Sequence, residues 1–219
     1  MIRGVLALLF FFTLQSCTEF NQSTSNTIPN PPIQIKNDTI NINDRTSWQK
    51  PNSIINKLGI LSDKTVADIG AGTGYFAFRL IHRAEKIIAI DIDTTMINLI
   101  EAFKSTMSTS LSSKIETRLA PSDDPMLANN EVDIVLLSNV IPYLENRIEY
   151  LGNLIPSLRI GGKIVIVDFK TKRLPIHAPD YSDRVLMHVI EEELYEAGYS
   201  YVEIDDTTLD FQYIIVATP

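Results

Sequence analysis

At 219 residues and 45% apolar content the chain can bury a full core, and its length suits one domain with appendages rather than two domains. Its 19 Lys and Arg against 27 Asp and Glu give a formal net charge of -8, with no basic stripe. That balance argues against DNA or RNA as a partner, because such binding draws its affinity from neutralised phosphates.

The chain opens with Arg3, an apolar stretch from Val5 to Leu14, and then Leu14-Gln15-Ser16-Cys17. The stretch is shorter than the roughly 18 apolar residues that a bilayer span requires. This pattern resembles a bacterial lipoprotein signal, although Gln15 departs from the small or β-branched residue usual at that place. The resemblance implies a signal peptide over residues 1–16, cleavage before Cys17, and membrane anchoring through lipid on Cys17, facing the periplasm or the exterior. An uncleaved anchor or a misassigned start codon is the alternative, the latter leaving the protein cytoplasmic. Cys17 is the sole cysteine, so no internal disulfide can form. From Thr18 to about Asp44 the sequence turns to Asn, Ser, Thr and Pro, which cannot offset its ordering entropy by burial. Residues 17–44 are therefore expected to be a tether, and residues 45–219 the folded domain.

Within that domain, Pro51 suits a helix start and Ser53–Leu58 carry a helical pattern ending at Gly59. Strand-like runs then alternate with helical ones. Strands are expected at Thr65–Ile69, Ile87–Asp91, Ile115–Leu119, Val132–Leu137 and Ile164–Phe169. Helices are expected at Gly74 to about Arg83, Asp93–Lys104 and about Arg184–Ala197. Continuous Val, Ile and Leu character marks strands buried on both faces, hence a parallel sheet covered by helices. Tyr201–Ile204 and Phe211–Ala217, separated by a polar turn, read as a terminal antiparallel hairpin. The expected fold is α/β, a three-layer sandwich whose seven-stranded, mostly parallel sheet ends in that hairpin.

Between the first strand and its helix lies V-A-D-I-G-A-G-T-G-Y-F, in which Asp68, Gly70, Gly72 and Gly74 form a D-x-G-x-G-x-G turn. Residues without Cβ turn tightly and let a ligand lie against bare backbone, while the following helix offers N–H groups to an anion. A dinucleotide fingerprint needs G-x-G-x-x-G, and its third glycine is here Tyr75, which disfavours a nucleotide-dependent oxidoreductase. The segment resembles the first motif of the class I S-adenosylmethionine-dependent methyltransferases, over about Lys64 to Ala217. The resemblance implies S-adenosyl-L-methionine as cofactor, held by the backbone of Gly70, Ala71, Gly72 and Gly74, with Asp68 facing the methionine amino group.

Ligands of open α/β sheets bind outside the carboxyl ends of the strands. Asp91 ends the second strand and can accept both hydrogen bonds of a ribose diol. Asp93 is a rival, although its place before Thr94-Thr95-Met96 suits a helix cap. Ile92, with Met96, would flank the adenine. After the third strand, Ser122 and Asp123 match a loop that reads the adenine edge in related enzymes, and Asp123-Asp124-Pro125 is equally a plain turn. After the fourth strand, Asn139 is placed near the sulfonium. Tyr143 either lines the acceptor pocket or packs a helix face. Only pieces of the Asn-Pro-Pro-aromatic motif of amine-directed enzymes occur here, so amine methylation does not follow.

No catalytic residue is fixed by the sequence; the candidates are Asn139, Tyr143 and His177, the last in a loop after the fifth strand. His82 and His188 have ordinary helix positions. Trp48 and Gln49 form either a lid or an anchor for the first helix, and Gln212 and Tyr213 face either the pocket or solvent. No metal site is expected. The reaction implied is in-line methyl transfer to an unidentified acceptor, whether small molecule, lipid or protein. The alternative is a membrane-tethered S-adenosylmethionine-binding module without transfer activity, because a lipoprotein faces away from the cytoplasm, where the donor is made. The oligomeric state is not legible.

Overall fold

The computed structural model describes residues 41–219. The signal-like residues, Cys17 and the tether as far as residue 40 lie outside the described residues. Asn41 to Asp44, assigned above to the tether, form a turn: the Asp44 N–H donates to the Asn41 carbonyl at 3.1 Å, and Asp44 Oδ1 caps the next helix by accepting from Thr46 N–H at 2.9 Å.

That helix is α1 (Arg45–Gln49), followed by α2 (Pro51–Leu58) with proline at its start as expected. The strands are β1 (Thr65–Ile69), β2 (Lys86–Asp91), β3 (Ile115–Leu119), β4 (Val132–Ser138), β5 (Leu158–Phe169), β6 (Tyr201–Asp205) and β7 (Gln212–Thr218). Between them lie α3 (Ala77–Leu80), α4 (Thr94–Lys104), α5 (Thr109–Ser112), α6 (Arg147–Leu154) and α7 (Met187–Glu196). The sheet order is β3-β2-β1-β4-β5-β7-β6. β1 to β5 run parallel, and β7 lies antiparallel between β5 and β6. The seven-stranded, mostly parallel sheet closing in an antiparallel hairpin is the architecture the sequence predicts.

The strands alternate their side chains between two buried faces. Val66, Ile87, Leu136 and Val165 pack with Ile54 and Leu58 of α2, Leu80 of α3 and Ile100 of α4. Ala67, Ile88, Val135 and Ile166 pack on the opposite side with Leu151 and Leu154 of α6 and Ile190 and Leu194 of α7. Helices on both faces leave the central strands no solvent side, which is why they read as unbroken apolar runs.

Two expectations are corrected. The helix after the glycine turn does not run from Gly74 to Arg83; regular α-helix covers only Ala77–Leu80, with turns on either side. The chain leaves it early because Glu85 N–H must reach the Leu61 and Lys64 carbonyls to start β2. β5 begins six residues sooner than expected, at Leu158, because Gly161 at φ 75° lets Arg159-Ile160-Gly161-Gly162 continue the strand through an irregularity.

Candidate functional site

The strand order reverses at β1, whose successor β2 lies on one side and β4 on the other, so a crevice opens beyond the carboxyl ends of these strands. β7 runs antiparallel, and its first residue, Gln212, therefore comes to the same end of the sheet.

The turn leaving β1 has Gly70, Gly72 and Gly74 at φ 68°, 55° and 82°. These glycines are required for different reasons. A Cβ on Gly70 would stand 2.5 Å from Val140 Cγ2, and one on Gly74 would stand 2.5 Å from Phe78 Cε2. A Cβ on Gly72 would meet nothing within 4 Å and would project into open space. Gly70 and Gly74 are thus demanded by packing, whereas at Gly72 the glycine leaves bare backbone exposed to the crevice.

Asp91 holds this turn. Its Oδ2 accepts from Gly72 N–H at 2.7 Å and its Oδ1 from Asp93 N–H at 2.9 Å. A carboxylate has about four acceptor positions, so two remain. Asp93 does cap α4, accepting from Thr95 N–H at 2.7 Å.

Asp68 is 2% exposed. Its Oδ2 accepts from Ala77 N–H at 3.1 Å, at the start of α3. Burial pushes its carboxyl up to about 7, against the Ala77 bond and the nearby Arg45 charge, while neighbouring Asp91 adds to the rise.

Three depressions meet at Asn139, and Gly70 borders two of them. One is mainly apolar, lined by Ile90, Asp91, Ile92, Ala120, Ser122, Leu144 and Tyr150 among others. The second is polar, bounded by Arg45, Asp68, Gly70, Ala71, Gly72, Thr73 and Ser138. The third opens between α1, the 141–143 turn and the loop at His177, with Trp48, Tyr143 and Phe169 on its walls. Asn139 borders all three. Asp123 is exposed and outside these linings, in a loop whose Ser122 and Pro125 border the apolar depression and whose Asp124 accepts from Met126 N–H at 2.7 Å.

Asn139 lies at φ 61°, a conformation Asn tolerates better than most side chains. Its Oδ1 accepts from Gln212 Nε2 at 2.5 Å. Gln212 is buried, with Oε1 unpartnered among the described residues, and Tyr213 is buried too, its hydroxyl donating to the Val185 carbonyl at 3.1 Å. An exposed strand face is thus ruled out for this pair. Tyr143 is 69% exposed on a 3-10 turn and borders two depressions instead of packing a helix face. Trp48 packs with Phe169 and Phe211 while also bordering the third depression, and Gln49 is wholly buried, donating to Ser138 Oγ at 3.3 Å. His177 is exposed at the third depression, whereas His82 and His188 are exposed away from the crevice linings.

Two residues at the site were not singled out in the sequence. Arg45 stands 3.9 Å from the centroid of the Tyr75 ring and borders both the polar depression and the third one. Asp168, 1% exposed at the end of β5, accepts from Ile141 N–H at 3.2 Å and Phe169 N–H at 2.8 Å, and burial pushes its carboxyl up to about 7. It pins the start of the turn carrying Tyr143. The chain signals neither: Arg45 lies next to the expected tether, and Asp168 sits inside an apolar run.

Residues 67–166 match a methyltransferase domain family. Over 149 residues the chain is 26% identical to the ubiquinone/menaquinone biosynthesis C-methyltransferase of Geobacter sp., covering 67% of this chain and 62% of that protein. It is 27% identical over 136 residues to the tRNA U34 carboxymethyltransferase of Shewanella amazonensis, covering 62% of this chain and 40% of that one. The chain thus spans less than two thirds of either relative. A crystal structure of a SAM-dependent methyltransferase from Aquifex aeolicus superposes with a TM-score of 0.71 at 19% identity, covering 79% of this chain and 91% of that one. Residues 67–166 thus resemble a methyltransferase domain, and the chain shares the fold of a SAM-dependent methyltransferase.

The residues present fit that donor. The open space at Gly72 admits a ligand against backbone, and the apolar depression beside Ile92 suits a purine. The polar one, with Asp68 and Arg45, suits the charged amino-acid end, and Asp91 between them retains two acceptor positions.

Proposed function

We propose that this protein is an S-adenosylmethionine-dependent methyltransferase acting on an acceptor bound in the third depression. One observation carries the reading: Asp91 clasps the open Gly72 backbone at the junction of an apolar and a polar cavity. In this reading Gly70, Ala71, Gly72 and Gly74 shape the bed of the amino-acid portion, Asp68 takes its ammonium, and Asp91 takes the ribose hydroxyls. Ile92 and Ser122 border the base. Asp123 is assigned no contact.

The donor supplies an already activated methyl group, so the acceptor's lone pair can displace sulfur directly. The chain's part is alignment and exclusion of water, and well-oriented pairs reach effective molarities of about 10⁵ M or more. Asn139, at the junction of the three depressions, orients the reacting partners. Tyr143 walls the acceptor, and His177 is placed to take a proton from an acceptor that arrives with one. Nucleic acid is not among the proposed acceptors, given the net charge of -8.

Calorimetric titration of the full chain with S-adenosylhomocysteine tests this directly. Micromolar or tighter binding, competed by S-adenosylmethionine and not by NAD, is the expected result. Binding of NAD alone would return the oxidoreductase reading. In the same reading residues 1–16 are a signal peptide removed before Cys17, and lipid on Cys17 tethers the enzyme to a membrane, which an intact-mass measurement would test.

A further inference from the structure

The third depression has a chemistry of its own. Trp48 and Phe169 present two rings whose centroids lie 5.9 Å apart, and the Tyr143 ring borders the same space. Trp48 and Phe169 are more than nine-tenths buried and packed with Phe211, so they reach the cleft with little of their surface, while the Tyr143 side of it is 69% exposed. Aromatic walls favour a flat, conjugated guest.

Its charge is opposite to that of the chain as a whole. Among the described residues no carboxylate lines this cleft, whereas Arg45 does. The same loop that brings His177 to the rim carries Lys172 and Arg173, both exposed, against one exposed carboxylate, Asp180. In a chain of net charge -8, a positive mouth draws anions and turns away ammonium groups.

The hydrogen-bonding polarity agrees. The Asn139 amide oxygen is occupied by Gln212 Nε2 at 2.5 Å, which leaves the Asn139 NH₂ group for a ligand. The NH₂ donor at that point suits an oxygen of the ligand.

Resting on the methyltransferase reading, we propose that the acceptor is a small, flat, conjugated anion, a carboxylate or phenolate-type oxygen held by Asn139 and Arg45 with its ring against Trp48 and Phe169. An acceptor that arrives ionised needs no base to remove a proton, which matches a cleft that, among the described residues, is lined by no carboxylate and one exposed imidazole, His177.

The test uses the full chain saturated with S-adenosylhomocysteine and titrated calorimetrically with 2-naphthoate, 2-naphthamide, 2-naphthylmethylamine and acetate. The expected result is binding of 2-naphthoate at least about ten-fold tighter than its amide, with the amine and acetate weaker still, and a loss of 2-naphthoate affinity on raising the salt. A Lys172→Glu/Arg173→Glu double variant, altered only at exposed positions, should weaken 2-naphthoate and leave S-adenosylhomocysteine affinity as it was. Equal or tighter binding of the amide or the amine would overturn the inference, as would a protein that binds S-adenosylhomocysteine and ignores 2-naphthoate. Failure to bind S-adenosylhomocysteine at all would instead remove the donor reading, and the inference with it.

Discussion

Replacing Asp91 by alanine removes two things at once. The structure gives its carboxylate the N–H groups of Gly72 and Asp93, at 2.7 and 2.9 Å, and the proposed site gives it the ribose hydroxyls. Hydrogen bonds to a charged group contribute about 1.5–3 kcal/mol, so donor affinity should fall by roughly ten- to 150-fold. The two freed N–H groups add a stability cost at the low end of about 1–3 kcal/mol each, since Asp91 is 9% exposed and water can reach part of the gap. Asp91→Asn separates the effects: it keeps one acceptor oxygen and sets an amide NH₂ against the second N–H, so it should lie between wild type and Asp91→Ala. Calorimetric titration with S-adenosylhomocysteine, alongside thermal melts followed by circular dichroism, reads both quantities. Wild-type affinity in a folded Asp91→Ala variant would refute the assignment of this carboxylate to the donor.

Gly70→Ala and Gly72→Ala should part company. Both place a side chain at positive φ, at about 1–2 kcal/mol, but only the first drives a methyl to 2.5 Å from Val140 Cγ2. Melting temperature should therefore fall further for Gly70→Ala, while Gly72→Ala should melt closer to wild type and lose donor affinity. Asp68 and Asp168 both titrate near 7 in the folded chain against 3.8 for an ordinary aspartate. Between about pH 4 and 7 the folded chain keeps protons that the unfolded chain has released, so these groups lower stability as pH rises through that window. Asp168→Asn should remove part of the fall in melting temperature between pH 5 and pH 8, and an unchanged profile would contradict the burial argument. If Asp68 holds the methionine ammonium as a carboxylate, S-adenosylhomocysteine affinity should rise from pH 6 to pH 8, and Asp68→Asn should flatten that rise.

Where local sequence pattern and tertiary packing agree, the structure was legible in advance. β1, β2 and β4 announce themselves because both faces are buried, and the β6–β7 hairpin because a polar turn separates two apolar runs. α6 is not legible in the sequence: Arg147–Leu154 buries only Tyr150, Leu151 and Leu154, too narrow a stripe to stand out. The helix after Gly74 was overextended because Tyr75 to Arg83 has helical composition, while the need to enter β2 cuts it to one turn. The same division holds at the site. Asp68, the glycines and Asp91 lie at strand ends that a single segment identifies. The contact between Asn139 and Gln212 joins residues 73 apart in the chain, and it exists only because β7 runs against its neighbours. Arg45 joins the site through a short helix whose cap, Asp44, is the last residue of what composition marks as tether.

The most direct test is a crystal structure of the full chain grown with S-adenosylhomocysteine. The account predicts density running from the polar cavity at Asp68 and Arg45, over the Gly72 backbone, to the apolar cavity beside Ile92, with the ribose on Asp91. A nucleoside bound elsewhere, or those two cavities closed by protein while the ligand is present, would contradict it.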